Sequence, residues 1–339
     1  MEILNNYSLK QHNTFGIDAK ADFYISVRNN DEIEELINTN IFQNNKYFIL
    51  GGGSNVLFAD DFKGLVIDIN IRGIKILETK DDFVTIEVGA GEYWDDFVSI
   101  CINNKFYGLE NLALIPGKVG AAPVQNIGAY GAEQKDFFET LSGYNIEKKQ
   151  FETLNHDECK FNYRDSVFKH ELKNKFIITN VRYKLCKVEK INLSYKELSN
   201  EISMSNIEKP DAKIIYDTVR RLRTNKLPDY RLLGNAGSFF KNPIISSEKF
   251  NNLKSKYFEM QGYSLTDDKV KISAGWLIEQ CGWKGKQIGN AGVYDKHSLI
   301  IVNHDNATGQ EILNLSNQIK QSVWDKFDIQ LENEVLIIE

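Results

Sequence analysis

The chain has 339 residues, a formal net charge of −6 at pH 7, 42% hydrophobic residues and 26% charged residues. A chain of this length is longer than an average single domain with one hydrophobic core, so we expect two or three domains. The negative charge argues against a general nucleic-acid binder, which concentrates positive charge to meet phosphate. The sequence contains no apolar run of about eighteen residues, and its amino terminus has neither the basic nor the apolar region of a signal peptide. We therefore expect a cytoplasmic protein without a membrane span.

Cysteine and histidine spacing predicts no metal site. The cysteines form no CxxC pair, and the histidines form no HExxH pair. Buried free thiols are the expected state of the cysteines. The residues concerned are Cys101, Cys159, Cys186 and Cys281, together with His12, His156, His170, His297 and His304.

Hydrophobic periodicity in the first half of the chain predicts many short strands and few helices. Alternating or continuous apolar runs bounded by turn residues are typical of strands, and apolar residues at helical spacing are typical of amphipathic helices. The predicted strands are residues 23–27, 47–50, 56–58, 65–69, 83–88, 138–146, 151–154 and 176–185, and the predicted helices are residues 31–37 and 94–102. This pattern predicts a mixed α+β fold.

The pattern changes near residue 190, where longer helical segments begin. Helical spacing predicts amphipathic helices, and a run of small residues predicts a turn. The predicted helices are residues 211–224, 271–281 and 308–327, the predicted turn is 234–237, and the predicted strands are 298–302 and 329–338. Glu332 and Glu334 interrupt the last strand; such acids commonly face water, although one could point into a site.

Two loops rich in small residues are the first candidates for a binding site. They are Gly51–Asn55 (GGGSN) and Ile115–Gly131 (IPGKVGAAPVQNIGAYG). Small residues let a ligand approach backbone N–H groups, and the amides of Gln125 and Asn126 could pair with the polar edge of a ring. A tight connecting loop is the alternative for either one, but two such loops suggest one extended ligand and are expected to meet. Neither fits the dinucleotide fingerprint or the P-loop pattern.

Three further features could carry chemistry. Arg164, in YRDS, could form a surface pair with its neighbour Asp165 or bind a carboxylate or phosphate. Arginines cluster at the end of the helix predicted at 211–224, where they suit either the negative end of the helix or a phosphorylated substrate; they are Arg220, Arg221 and Arg223. Ser238 could simply end a strand or could donate a proton. It lies outside a GxSxG elbow, which disfavours a hydrolase nucleophile.

Six motifs occur in one order along nearly the whole chain. They are LGGGSNVLF, IPGKVGAAPVQNIGAYGAE, YRDSVFK, GNAGSFFKNP, SAGWLIEQCGWKG and LENEV. With these motifs the sequence resembles the UDP-N-acetylenolpyruvoylglucosamine reductase (MurB) family, flavoenzymes of peptidoglycan precursor synthesis. Six ordered motifs are far more specific than any one of them.

The resemblance implies a fold and a set of cofactor contacts. It implies a two-lobed FAD-binding domain of the vanillyl-alcohol-oxidase type and a C-terminal α+β substrate-binding domain. The lobes would be residues 1–72 and 73–220, the substrate domain 221–328, and the terminal strand 329–339 would return to the first lobe. The implied FAD contacts are Gly51, Gly52, Gly53, Ser54, Asn55, Pro116, Gly117, Gly120, Ala121, Asn126, Gly128, Ala129, Tyr130 and Gly131.

The resemblance also implies a reaction. In this family NADPH reduces FAD, which then passes hydride to the enolpyruvyl ether of a UDP-sugar. The family's catalytic arginine, serine and glutamate fall on Arg164, Ser238 and Glu334. The implied substrate contacts are Tyr195, Lys226, Asn242 and His297. Tyr195 corresponds to a substrate-covering tyrosine, and His297 stands where some members carry glutamine, so its role stays open.

Two other interpretations remain at this stage. A different two-lobed FAD oxidase, acting on a sugar or alcohol, would reduce O₂ rapidly and ignore NADPH. A non-catalytic nucleotide-binding protein could have kept the loops without the activity. For the enzyme we expect a monomer that binds neither nucleic acid nor membrane.

Overall fold

The computed structural model describes residues 1–205 and 207–339 and divides into two compact units. Unit 1 comprises Met1–Tyr7, Ala21–Gly53 and Lys63–Asn225. Unit 2 comprises Ser8–Lys20, Ser54–Phe62 and Lys226–Glu339. The chain therefore passes between the units several times. The three-part domain boundaries given above are finer than this division and stay a prediction.

The elements follow the predicted alternation of short strands and helices. The strands are β1 (Leu4–Ser8), β2 (Lys20–Val27), β3 (Tyr47–Leu50), β4 (Val56–Phe58), β5 (Phe62–Ile69), β6 (Ile74–Thr79), β7 (Phe83–Gly89), β8 (Gly128–Ala129), β9 (Ala132–Glu133), β10 (Phe138–Asn145), β11 (Gln150–Asn155), β12 (Phe176–Cys186), β13 (Gly234–Ser238), β14 (Ile244–Ser246), β15 (Gly262–Thr266), β16 (Lys269–Ile272), β17 (Gln287–Ile288), β18 (Ala291–Val293), β19 (Ile300–Asn303) and β20 (Leu336–Ile338). The α-helices are α1 (Asn30–Ile37), α2 (Asn40–Asn44), α3 (Trp94–Asn103), α4 (Lys196–Met204), α5 (Ala212–Lys226), α6 (Ser247–Lys256), α7 (Ala274–Gln280) and α8 (Gly309–Phe327). Short 3-10 helices connect several of them.

Unit 1 is built on two sheets. The first has the strand order β1-β2-β5-β3, and β3 and β5 pair in parallel with Tyr47 opposite Leu65. The second is antiparallel, in the order β11-β10-β12-β7-β6. Strand β5 reads FKGLVIDI and is buried along nearly its whole length, as expected for a strand covered on both faces.

Helix α3 shows how the sequence builds the core of unit 1. Trp94, Phe97, Val98 and Cys101 lie on one helical face and are buried, which confirms the periodicity of this segment. The Trp94 indole donates a hydrogen bond to the carbonyl of Leu112, 2.9 Å away, so its one polar atom is paired inside the core.

Unit 2 combines two small sheets with α6, α7 and α8. The sheets have the orders β13-β19-β18-β17 and β14-β16-β15, and β20 pairs in parallel with β4. Helix α8 begins at a capping box in which Thr308 accepts from the Glu311 amide and Glu311 accepts from the Thr308 amide. Its apolar residues, spaced as predicted, are buried: Ile312, Leu315, Ile319, Val323 and Phe327.

Three sequence predictions are wrong in detail because long-range pairing overrides the local pattern. The turn predicted at 234–237 is part of β13, which pairs with β19. The helix predicted at 271–281 begins only at Ala274, because β16 takes the preceding residues into a sheet and Ser273 caps the helix. Within the strand predicted at 329–338, only β20 is regular strand.

The predictions for cysteine are only partly right. The four cysteines are free thiols, but only Cys101 and Cys159 are buried, while Cys186 and Cys281 are half-buried. Among residues 1–205 and 207–339 no cluster of three or more histidine, cysteine, aspartate or glutamate side chains is placed to hold a metal ion. The helices within the same ranges are all too short or too polar to cross a bilayer.

Candidate active site

The two small-residue loops meet within unit 1, as predicted. A Cβ atom added to Gly52 would lie 2.7 Å from the Cα atom of Gly117, and one added to Gly51 would lie 2.9 Å from the Cβ atom of Ala121. Real Cβ atoms do not approach backbone so closely, so glycine is required here by contact between the two loops. The small residues therefore allow the two loops to pack against each other. A ligand would bind to the surface that the packed loops form together.

The surface of this loop pair fits a phosphate-containing cofactor. Gly52 and Gly117 are half-buried, and neither amide N–H donates a hydrogen bond to another residue within the described part of the chain. Backbone amides left without a protein partner in a Gly-rich turn form a concave site for anions. Gly117 also has a φ of 116°, which a residue with a side chain rarely adopts. The other predicted cofactor residues of unit 1 lie on the same two loops.

Asn126 organises the interior of the longer loop. Its side chain is fully buried and donates to the carboxylate of Glu133, 2.9 Å away, and to the carbonyl of Asn162, 3.1 Å away. Its side-chain oxygen accepts from the amide of Lys135 at 3.2 Å. Because this side chain is occupied within the protein, it shapes the loop, and any contact of residue 126 with the cofactor is left to its backbone.

A buried ion pair anchors the middle of the same loop. The Lys118 ammonium lies 2.5 Å from Asp68 Oδ1 and 2.8 Å from the carbonyl of Ile69, and both charged side chains are less than one-tenth exposed. The hydroxyl of Tyr24 donates to Asp68 Oδ2 at 3.1 Å. Burial and this carboxylate raise the pKa of Tyr24 above its usual value. The pair holds the loop against β5, next to the crossing with Gly52.

The start of the loop is held by helix α5. Leu114 has a positive φ of 58°, and its amide donates to Asp95 Oδ1 at 2.6 Å. Arg220 binds both oxygens of the same carboxylate, at 2.7 and 2.6 Å. Arg223 donates from Nε to the carbonyl of Leu114 at 3.3 Å. Two residues of α5 thus stabilise a backbone conformation that is unfavourable for leucine.

These contacts show which of the three clustered arginines are paired within the protein and which could bind an anionic ligand. Arg220 is paired with Asp95, and Arg221 is paired with Glu201 at 2.5 Å, so both charges are balanced within unit 1. Burial lowers the pKa of Arg223, and the nearby Arg164 charge lowers it further. Of the three arginines, Arg223 alone lacks a carboxylate within 4.0 Å among the residues described, which leaves it the one suited to an anionic ligand.

Arg164 faces the longer loop. Its backbone has a positive φ of 53°, and its guanidinium donates to the carbonyl of Gly128 at 2.6 Å. Asp165 pairs with His170 at 2.8 Å, so its carboxylate has a partner other than Arg164. Ser166 donates to the carbonyl of Val124 at 2.6 Å. The YRDS segment is therefore bound along the candidate cofactor loop, with its arginine half-buried.

Ser238 and Glu334 come together in unit 2 although 96 residues separate them. Strand β13 pairs Ser238 with Ile300, and an irregularity in register between Asn235 and Ser238 turns the strand just before the serine. The amide of Glu334 donates to the carbonyl of Phe239 at 2.8 Å. Both side chains are half-buried. No hydrogen bond of the Ser238 hydroxyl occurs within the described ranges, so this group remains available for a ligand.

Local contacts position the remaining predicted residues of unit 2. Asn55 donates to the carbonyl of Glu334 at 3.1 Å, so the short glycine loop ends against the terminal segment. Asn242 accepts from the amide of Ala274 at 3.0 Å and so fixes the start of α7. His297 Nδ1 accepts from the amide of Leu299 at 3.3 Å, in the turn that enters β19. Lys226 is half-buried at the end of α5.

The predicted residues therefore form two groups. In unit 1, Arg164 contacts Gly128, and the ring of Tyr195 packs edge-on against that of Tyr130 with centroids 5.2 Å apart. In unit 2, Ser238 and Glu334 are neighbours. Sequence reasoning missed the Lys118–Asp68 pair, although a single acid inside the apolar run LVIDI was a signal for a buried partner.

Comparisons with known proteins identify the family. The family model "UDP-N-acetylenolpyruvoylglucosamine reductase, C-terminal domain" matches residues 228–338, and the model "FAD binding domain" matches residues 21–146. The protein named UDP-N-acetylenolpyruvoylglucosamine reductase from Flavobacterium johnsoniae is 49% identical over 339 residues, which is 100% of both chains. The protein of that name from Bacteroides fragilis is 43% identical over 336 residues, covering 98% of this chain and 99% of the relative.

A solved structure agrees with this assignment at the level of the fold. The crystal structure of UDP-N-acetylenolpyruvylglucosamine reductase (MurB) from Thermus caldophilus superposes with a TM-score of 0.69 at 24% identity, covering 100% of this chain and 98% of that chain. The predicted α+β class, with an FAD-binding domain and a separate C-terminal domain, is confirmed. The chain belongs to the UDP-N-acetylenolpyruvoylglucosamine reductase family and is an FAD-dependent oxidoreductase.

Proposed function

We propose that this protein reduces UDP-N-acetylenolpyruvoylglucosamine to UDP-N-acetylmuramate, with NADPH as the reductant, in the synthesis of peptidoglycan precursors. The observation that carries the proposal is the 49% identity over the full length to a relative named for this substrate. The hydrogen bond from the Glu334 amide to the carbonyl of Phe239, the residue after Ser238, supports it because it brings the two candidate residues close together. The reaction would take place in the cytoplasm, where NADPH and UDP-sugars are available, with a monomer as the active form.

The cofactor would lie on the crossed loops of unit 1. The amides of Gly52 and Gly117 would face its phosphates, and the Lys118–Asp68 pair would keep the loop in place. When bound, FAD would accept hydride from NADPH and supply hydride to the terminal vinyl carbon of the substrate. Ser54 and Asn55, in the turn that precedes β4, are further predicted cofactor contacts.

Ser238 is the proposed proton donor. Hydride addition at the vinyl carbon leaves negative charge on the neighbouring carbon and on the carboxylate, and that carbon must then receive a proton. The Ser238 hydroxyl suits this role because it has no hydrogen-bond partner within the described residues and is half-buried at the end of β13. A serine is a weak acid in water, so the transfer requires a site that stabilises the resulting alkoxide until solvent returns the proton.

Arg164 and Glu334 are the proposed polarising and orienting groups. A guanidinium offers a planar fork of donors for the substrate carboxylate, where charge develops in the transition state. The hydrogen bond from Arg164 to the carbonyl of Gly128, a residue of the candidate cofactor loop, supports this role. Tyr195, Lys226, Asn242 and His297 are the proposed substrate contacts. For Asn242 and His297 the local hydrogen bonds described above already account for part of the polar side chain.

An anaerobic absorbance experiment tests the proposal. The purified protein should be yellow and release flavin on denaturation, NADPH should bleach it, and UDP-N-acetylenolpyruvoylglucosamine should restore the colour with one product formed for each flavin. Rapid reoxidation by O₂ with a carbohydrate donor and no response to NADPH would favour the oxidase alternative. A yellow protein that is never bleached would favour a binding protein without this activity.

A further inference from the structure

The segment that carries Tyr195 is held at several points against the cofactor loop of unit 1. Asn192 donates from its amide to the carbonyl of Gly131 at 3.0 Å. The side-chain oxygen of Asn192 accepts from both the amide and the hydroxyl of Ser194, at 3.0 and 2.7 Å. Gly131 lies directly beneath Ser194, where a Cβ atom would collide with the hydroxyl. Helix α4 begins immediately after Tyr195.

A single buried amide joins the two sides of this contact. Asn111 is 1% exposed and lies in the 3-10 helix Glu110–Leu112. Its side-chain nitrogen donates to the carbonyl of Tyr130 at 2.8 Å and to the carbonyl of Asn192 at 3.0 Å. Both of its N–H bonds are thus used, one on the cofactor loop and one on the segment before Tyr195.

The carbonyl of Tyr130 is a sensitive place for such a contact. Tyr130 has a positive φ of 47°, an uncommon conformation for an aromatic residue, and Gly131 follows with a φ of 83°. The ring of Tyr130 packs edge-on against the ring of Tyr195 at an interplanar angle of 73°. The turn that Asn111 holds therefore also supports the tyrosine ring predicted to cover the substrate.

We propose that Asn111 is a positioning residue that joins the cofactor turn at Tyr130–Gly131 to the Tyr195 segment and thereby places Tyr195 for the enolpyruvyl substrate. The inference rests on the proposed function for the role of Tyr195. The connection between the Tyr130–Gly131 turn and the Tyr195 segment follows from the hydrogen bonds alone. Only a side chain with two donors on one atom satisfies both carbonyls. Aspartate has the same shape, but its ionised carboxylate would face two carbonyl oxygens and donate to neither.

The first experiment uses limited proteolysis, without substrate, to measure how firmly the Tyr195 segment is held against the Tyr130–Gly131 turn. Lys190 and Lys196 are exposed and flank the segment, so trypsin should report its release from the turn. We expect the Asn111→Leu and Asn111→Asp holoenzymes to be cleaved at these lysines about tenfold faster than the parent protein, with mass spectrometry identifying the sites. Asn45→Asp is the matched control, because this amide donates at 2.8 Å to the Ile41 carbonyl, outside the site. Unchanged cleavage in both Asn111 variants would overturn the proposal.

The second experiment separates positioning from general structure. In stopped-flow measurements, flavin reduction by NADPH should stay within about twofold of the parent, while the substrate concentration for half-maximal reoxidation should rise about tenfold. Because Asn111 is proposed to act through Tyr195, the double variant Asn111→Leu with Tyr195→Ala should behave like Tyr195→Ala alone. Additive effects, or equal slowing of both half-reactions, would overturn the positioning role. If the parent protein fails to use the enolpyruvyl substrate, the proposed function is wrong. The proteolysis result would still show whether Asn111 connects the Tyr195 segment to the Tyr130–Gly131 turn.

Discussion

The candidate cofactor loop at Ile115–Gly131 and the strand end at Gly234–Ser238 are both rich in glycine, yet they are held in opposite ways. In the first, buried side chains such as Lys118 and Asn126 hold the backbone, and backbone amides remain available. In the second, strand pairing holds the backbone, and the Ser238 side chain remains available. Under the proposed function, the same composition would serve backbone recognition of the cofactor in unit 1 and side-chain chemistry in unit 2.

The sharpest test of this contrast is Ser238→Ala, for which we expect the largest effect. Removing the proposed proton donor should slow reoxidation by the enolpyruvyl substrate by roughly 10²- to 10⁴-fold, which corresponds to about 3 to 5.5 kcal/mol of barrier. Reduction by NADPH and flavin content should not change. Stopped-flow absorbance measures both half-reactions. The control is Ser247→Ala, also in unit 2, which removes a half-buried hydroxyl that donates to the carbonyl of Asp267 at 3.0 Å. Equal slowing of both half-reactions would instead indicate a structural role for Ser238.

The converse test is Lys118→Met, which should weaken cofactor retention. It leaves the Asp68 carboxylate buried without its cation, a change that typically costs about 3 to 5 kcal/mol. We expect a large drop in the urea midpoint of the holoenzyme and loss of flavin on gel filtration. Lys213→Met removes one partner of the exposed Lys213–Asp217 pair, 2.7 Å apart, and should cost less than about 1 kcal/mol. Similar losses in the two variants would contradict the anchoring role of Lys118.

Gly52→Ala tests whether the loop crossing is as tight as the geometry indicates. The new methyl group would lie 2.7 Å from Gly117 Cα, so the loops must move apart, at a cost of about 1 to 3 kcal/mol. Faster flavin dissociation should accompany the lower stability. Gly275→Ala in α7 is the control: its Cβ atom would lie 3.5 Å from Leu299, an ordinary contact, and alanine favours helix. Normal flavin binding by Gly52→Ala would argue against the crossing as the cofactor site.

Thr308 lies outside both glycine-rich regions. The Thr308→Ala variant therefore shows how a modest loss of stability by itself affects the two half-reactions. Loss of this helix cap should cost about 1 kcal/mol without changing either half-reaction. The Thr308 amide lowers the pKa of Glu311, so the contribution of this carboxylate is present above its unfolded pKa of about 4.3 and is lost as the pH falls through the lower folded pKa. The Thr308→Ala variant keeps this backbone amide and loses the bond from the Glu311 amide to the Thr308 hydroxyl, which does not titrate, so unfolding midpoints measured between pH 3 and pH 7 should fall for both proteins while most of the difference between them persists. Altered flavin kinetics would show that α8 is coupled to the chemistry.

Local pattern was sufficient for most elements of unit 1. Strand β3, strand β7 and helix α3 lie where apolar spacing predicts them, because the spacing of apolar residues within each short segment shows which face is buried. Local pattern was insufficient where an element forms by pairing with backbone that is distant along the chain. The glycines of β13 read as a turn, but Gly234 packs directly on the backbone of Phe15 and its strand pairs with β19. That preference for strand depends on a partner more than 60 residues away along the chain.

The sequence by itself determined the family, the small-residue loops and the identity of Arg164, Ser238 and Glu334 as candidates, because ordered motifs and residue types are local properties. Only the tertiary structure decided which charges are already paired and which groups remain available. Lys118 and Arg220 are balanced by Asp68 and Asp95, which lie 50 and 125 positions away along the chain. Pairing of this kind depends on distance in space, which spacing along the chain does not encode.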